Sequence, residues 1–75
     1  MKDDDLIFTS DTHVARVVVL ETAIGKFRGY VYLRRATDEP EAEAPHQTEA
    51  DRDRIDLARD DAVRLAHDLL KQYDL

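Results

Sequence analysis

The chain contains no cysteine, no tryptophan and no asparagine, and it has only two glycines and two prolines in 75 residues. Without cysteine it can form neither a disulfide nor a thiolate zinc site, which are common stabilisers of small domains. A chain this short buries only about 60% of the surface that its unfolded form exposes. The sequence therefore predicts a single domain over residues 1–75 with a thin core, and self-association is one way to stabilise it further.

Long apolar runs are also absent. The longest run, Val17 to Leu20, has four residues, whereas a membrane-spanning helix needs about 20. Residues 1–5 are acidic where a signal peptide is basic. We therefore expect a cytoplasmic protein without a membrane partner, and a frayed, solvated tail over residues 1–5.

Acidic residues outnumber basic ones by 17 to 11, which gives a net charge of −6. A negative protein repels nucleic acid and anionic lipid, so the total disfavours both as partners. The charge is unevenly distributed, however. Residues 6–35 are mildly basic, and residues 36–50 carry most of the negative charge.

Residues 6–35 favour a sheet. The segment from His13 to Thr22 is rich in β-branched residues, and residues 27–34 alternate between apolar and polar with a period of two. Gly25 lies between them and can adopt the positive φ of a tight turn. The pattern predicts a β-hairpin, and residues 6–9 are a candidate third strand.

Residues 36–50 contain two prolines, five acids and no large apolar side chain. Such a composition offers little to offset the entropy of ordering the chain, so we expect a mobile acidic linker. Residues 51–74 then show apolar side chains at three- and four-residue steps, which predicts an amphipathic helix. Thr48 and Asp51 have the spacing of a capping box at its start.

The predicted fold is α+β: a small antiparallel sheet of two or three strands in β-β-β-α order, with one C-terminal helix packed on one face. This layout resembles small bacterial β-β-β-α modules, including antitoxin-like and integrase-arm-like domains. The resemblance lies in the order of the elements and implies the fold class alone.

A single helix can cover only one face of such a sheet. The alternation places five apolar residues under the helix and leaves the other face open, the five being Val17, Val19, Phe27, Val31 and Leu33. The residues expected on the open face, which form the candidate interaction face, are Arg16, Val18, Leu20, Arg28, Tyr30, Tyr32 and Arg34.

Three interpretations of this Arg- and Tyr-rich surface remain open at this point. Tyrosine and arginine are ordinary residues on a solvated sheet. They are also enriched at protein interfaces, and they are typical of sheets that bind single-stranded nucleic acid. We expect a non-catalytic module that self-associates or binds another protein, with nucleic-acid binding, or an acidic antitoxin or immunity protein, as the alternatives.

The sequence offers no candidate catalytic, cofactor or metal site. The three histidines, His13, His46 and His67, fall on a strand, in the linker and on the helix, without the spacing of a metal site. Ser10, Asp11 and His13 are adjacent, but a catalytic triad depends on convergence in space rather than in sequence. We therefore expect that the chain is not an enzyme and binds no cofactor.

Overall fold

The structure is a computed structural model and describes residues 6–73. Four strands form one antiparallel sheet in the order β1-β2-β3-β4. They are β1 (Leu6–Thr9), β2 (His13–Glu21), β3 (Phe27–Arg35) and β4 (Ala44–Gln47), followed by one helix, α1 (Ile55–Tyr73). The α+β class with a C-terminal helix is confirmed, but the sheet has four strands rather than two or three. The predicted tail over residues 1–5 and the predicted helical residue Asp74 lie outside the described residues.

β2 and β3 form the central hairpin, paired from His13↔Arg35 to Glu21↔Phe27. At the turn, the Thr22 N–H donates to the Lys26 carbonyl at 2.6 Å. Gly25 has a φ of 78° in the same turn, a conformation that disfavours other residues. β1 pairs with β2, so residues 6–9 do form a third strand.

β4 is the main departure from the sequence analysis. Residues 36–50 were expected to be a mobile linker without secondary structure, but they contain a 3-10 turn at Pro40–Ala42 and the strand β4, which pairs with β3. The physical reason lies in β3. Alternate residues of β3 direct their N–H and C=O groups away from β2, and these groups need partners of their own.

The segment after β4 remains attached to β3. Thr48 is buried and donates its N–H to the Gly29 carbonyl at 3.0 Å, while its hydroxyl accepts the Gly29 N–H at 3.3 Å. Phe27 and Arg52 then exchange two backbone hydrogen bonds of 2.7 Å. The predicted capping box is therefore wrong. Thr48 belongs to the sheet, and α1 begins at Ile55 rather than at residue 51.

α1 packs across β2 and β3 on what we call the inner face of the sheet. The core combines buried side chains of both layers. Its buried members are Ala15, Val17, Val31, Leu33, Ala62, Ala66, Leu69 and Leu70. The predicted burial of Val17, Val31 and Leu33 beneath the helix is confirmed, whereas Val19 and Phe27 are only half-buried.

Gly29 allows the close approach of helix and sheet. A Cβ atom at this position would lie 2.6 Å from the Cβ of Ala62 and 2.7 Å from the carbonyl oxygen of Ala58. Both distances are far below ordinary van der Waals contact. Glycine on β3 and alanines on α1 therefore set the separation of the two layers.

Candidate interaction face

The face opposite α1, called the outer face from here on, contains all seven residues of the candidate interaction face. The antiparallel register places them side by side on the two central strands. The directly opposed pairs are Arg16↔Tyr32, Val18↔Tyr30, Leu20↔Arg28 and Val14↔Arg34. α1 lies on the opposite face, and the segment between β3 and β4 reaches the outer face through Asp38 and Glu43, which bond Arg34 and Arg16.

The centre of the outer face is apolar and partly accessible. Val18 and Tyr30 are half-buried, and Leu20 is 46% exposed. Ile7 of β1 is opposite Arg16 in the register and therefore lies on the same face, with 58% exposure. Sequence reasoning did not assign Ile7 to this surface, because the register of β1 against β2 is a tertiary property that a four-residue strand does not encode.

The edge strand β4 adds two further residues to the outer face. Pro45 is opposite Tyr32, and Gln47 is opposite Tyr30. Neither was predicted to lie there, because β4 itself was missed. No β-branched or aromatic side chain marks this segment as a strand.

The side chain of Arg16 lies on the outer face and is fixed by contacts with Glu43 and Tyr32. Its Nε and Nη2 donate to the two carboxylate oxygens of Glu43 at 3.1 and 2.8 Å. Its guanidinium carbon lies 4.7 Å from the ring centre of Tyr32. The bidentate pair and the cation–π contact together fix a long side chain that is otherwise flexible.

The other two predicted arginines are also bonded within the chain. Arg28 Nε donates to Asp51 at 2.7 Å, and its Nη1 donates to the side chain of Gln47 at 2.9 Å. Arg34 Nη1 donates to the main-chain carbonyl of Asp38 at 3.0 Å. All of these partners follow β3 in the chain, and the carboxylate of Asp51 neutralises the charge of Arg28.

The pKa of Glu43 reflects this arrangement. Hydrogen bonding and the positive charge of Arg16 hold the pKa of the Glu43 carboxyl below its usual range, although partial burial opposes the shift. Its side chain is only 17% exposed. The carboxylate is therefore charged at neutral pH, and the pair with Arg16 is a fixed part of the surface.

Comparisons of the chain with protein-family models, with curated proteins and with solved structures gave no match.

A groove of about 390 Å³ lies on the helix side, between α1 and the segment that follows β4. Arg52 Nε and Nη2 donate to Asp61 at 2.6 and 3.1 Å, so two charged groups of its wall pair with one another. Thr48, also in the wall, uses its hydroxyl to accept the Gly29 N–H. Part of the polar wall of the groove is therefore bonded within the chain.

The histidines and Ser10 have local structural contacts. The rings of His13 and Tyr73 are 5.5 Å apart, and those of His67 and Phe8 are 4.8 Å apart. The Ser10 hydroxyl accepts the His13 backbone N–H at 3.1 Å and so closes a turn. Within residues 6–73, no group of three or more histidine or acidic side chains is placed to hold a metal ion.

No helix in the described part of the chain has both the length and the apolar character needed to cross a bilayer.

Proposed function

We propose that this protein is a non-catalytic interaction module whose outer face binds another protein surface. The observation that supports this most is the layering of the fold. The sheet has one face covered by α1 and a second face on which Val18, Leu20 and Tyr30 remain accessible.

The distribution of residue types on the outer face supports the same conclusion. Protein interfaces have an apolar centre enriched in tyrosine and arginine, surrounded by a polar rim. On the outer face, Val18 and Tyr30 lie near the middle of the central hairpin, Leu20 lies toward its turn, and the ion pairs of Arg28 and Arg16 flank them. Since these arginines are already ordered, little side-chain entropy remains to be lost on binding.

Nucleic-acid binding, the main alternative, receives less support from the contacts. Binding of single strands requires arginines that can neutralise phosphates. Arg16 and Arg28 instead bond the carboxylates of Glu43 and Asp51. A titration with single-stranded RNA at low salt, followed by tyrosine fluorescence, should therefore give no salt-dependent response. A saturable, steeply salt-dependent response would favour the alternative.

Site-specific photocrosslinking tests the proposed function directly. Tyr30 is replaced by p-benzoylphenylalanine, and the chain is irradiated in the cells that naturally express it. The matched control carries the same substitution at Tyr73, which is 47% exposed on α1. We expect a protein adduct at position 30 that is absent or much weaker at position 73.

The identity of the adduct distinguishes the alternatives. A basic protein partner would favour an antitoxin or immunity role within the proposed class. An adduct with nucleic acid alone, or equal labelling of unrelated proteins from positions 30 and 73, would contradict the proposal.

A further inference from the structure

We infer that the partner of the outer face is a second copy of this chain, packed face to face so that two sheets lie between two outer helices. This inference rests on the proposed function and names its partner. Three properties of the outer face and of the core support it.

The first property is charge compensation. The chain carries a net charge of −6, so two copies repel one another unless the contacting surfaces are locally balanced. On the outer face, Arg16 is paired with Glu43, and Arg28 is paired with Asp51. Arg34 adds one positive charge, which bonds main-chain carbonyls. A twofold axis therefore brings together two surfaces that are close to charge balance, from which a strongly charged partner gains little.

The second property is the thin core. Nine hydrophobic side chains are buried among the described residues, and four of them are alanines. Domains of this size without disulfides or a metal commonly gain stability by oligomerisation. Burying Leu20, Val18 and Tyr30 between two sheets adds large apolar side chains to a core that contains few of them.

The third property is the size of the face. Two strands of nine residues extend about 30 Å each, and two of four residues extend about 13 Å, with about 4.8 Å between neighbours. The planar footprint is therefore roughly 400 Å² per copy. Two copies bury on the order of 800 Å² or somewhat more, because side chains roughen the surface. This area is below the roughly 1,200–2,000 Å² of stable specific interfaces and in the range of weak, transient contacts. The area fits a weak, concentration-dependent dimer.

Sedimentation equilibrium of the purified chain from about 5 to about 500 µM tests the inference. We expect the mean molar mass to rise from 8.6 kDa toward twice that value with increasing concentration. The chain offers a matched pair of variants. Leu20→Lys and Leu57→Lys change leucines of similar exposure, 46% and 38%, on opposite sides of the sheet. Circular dichroism verifies that both variants are folded.

Leu20→Lys should raise the dissociation constant by about tenfold or more, and Leu57→Lys by less than about twofold. A dimer that Leu20→Lys leaves intact, or that both variants weaken equally, would overturn the face-to-face arrangement. A chain that stays monomeric throughout would overturn the inference as a whole. Crosslinking of Tyr30 to a different protein would then still support the proposed function, so the two failures are distinguishable.

Discussion

Replacement of Gly29 by alanine tests whether the separation of α1 and the sheet is as small as the structure shows. The new Cβ would lie 2.6 Å from the Cβ of Ala62 and 2.7 Å from the carbonyl oxygen of Ala58. Ordinary contacts between such atoms are about 3.5–4.0 Å, so α1 must shift by roughly 1 Å. One of the two obstacles is helix backbone, which cannot rotate away.

The expected loss of stability follows from substitutions that add a methyl group to a packed core. These typically lower the free energy of unfolding by about 1–3 kcal/mol, and the contact with helix backbone places Gly29→Ala in the upper part of that range. A domain of this length has a net stability of about 4–11 kcal/mol. Since each kcal/mol lowers the Tm by about 4–8 °C, we expect the variant to fold and to melt roughly 8–24 °C lower.

Urea unfolding followed by circular dichroism at 222 nm measures this difference. The control is Gly25→Asn, because position 25 has a φ of 78° and open space around it, and asparagine tolerates that conformation. We expect it to cost less than about 1 kcal/mol. A second substitution, Ala62→Gly, removes the Cβ that the new methyl group contacts, so the double variant should recover part of the lost stability. Equal stability of Gly29→Ala and the original chain would refute the close approach of the two layers.

Two further predictions concern the core and the outer face. Leu69→Ala should destabilise the fold by about 2–5 kcal/mol, because Leu69 is buried in the core. Leu57→Ala should cost less than about 1 kcal/mol, because Leu57 is 38% exposed. Similar unfolding midpoints for the two variants would contradict the assigned packing. Glu43→Gln should cost about 1 kcal/mol at neutral pH by weakening the pair with Arg16. Folding lowers the pKa of the Glu43 carboxyl. The pair with Arg16 therefore stabilises the folded state fully at pH values above the unfolded pKa of about 4.3. This stabilisation is lost as the pH falls through the lower pKa of the folded state. Urea unfolding at several pH values should show the variant and the original chain converging in acid, and a constant difference at every pH would contradict this.

The hairpin and the two faces of its strands could be predicted because their information is local. Alternation of period two in residues 27–34 assigns Tyr30 and Tyr32 to one side and Val31 and Leu33 to the other. The turn at Gly25 then sets the pairing with β2. The seven residues of the candidate interaction face follow from these two features, and the structure brings them together on one surface.

β4 could not be predicted, because its cause lies outside its own residues. Ala44–Gln47 has a composition that disfavours a strand, including a proline that cannot donate to a ladder. It becomes a strand because β3 presents unpaired backbone groups along its second edge. The same explanation applies to Thr48, whose spacing from Asp51 resembles a helix cap but which pairs with Gly29.

The acidic partners of the outer face were missed for a related reason. Composition indicated that residues 36–50 are acidic, but it gave no indication that Glu43 would reach across Tyr32 to Arg16. Only the position of β4 brings that carboxylate to the sheet. This contact weakens the nucleic-acid alternative, because Arg16 already pairs with a carboxylate.

The three tyrosines of the chain report directly on the association of the outer face with its own copy. Tyr30 and Tyr32 lie on the outer face, and Tyr73 lies on α1. Their ring resonances can be followed by NMR while the purified protein is diluted from about 1 mM to about 10 µM. We predict concentration-dependent shifts for Tyr30 and Tyr32 with little change for Tyr73. Constant shifts for all three rings, or a change confined to Tyr73, would contradict this association.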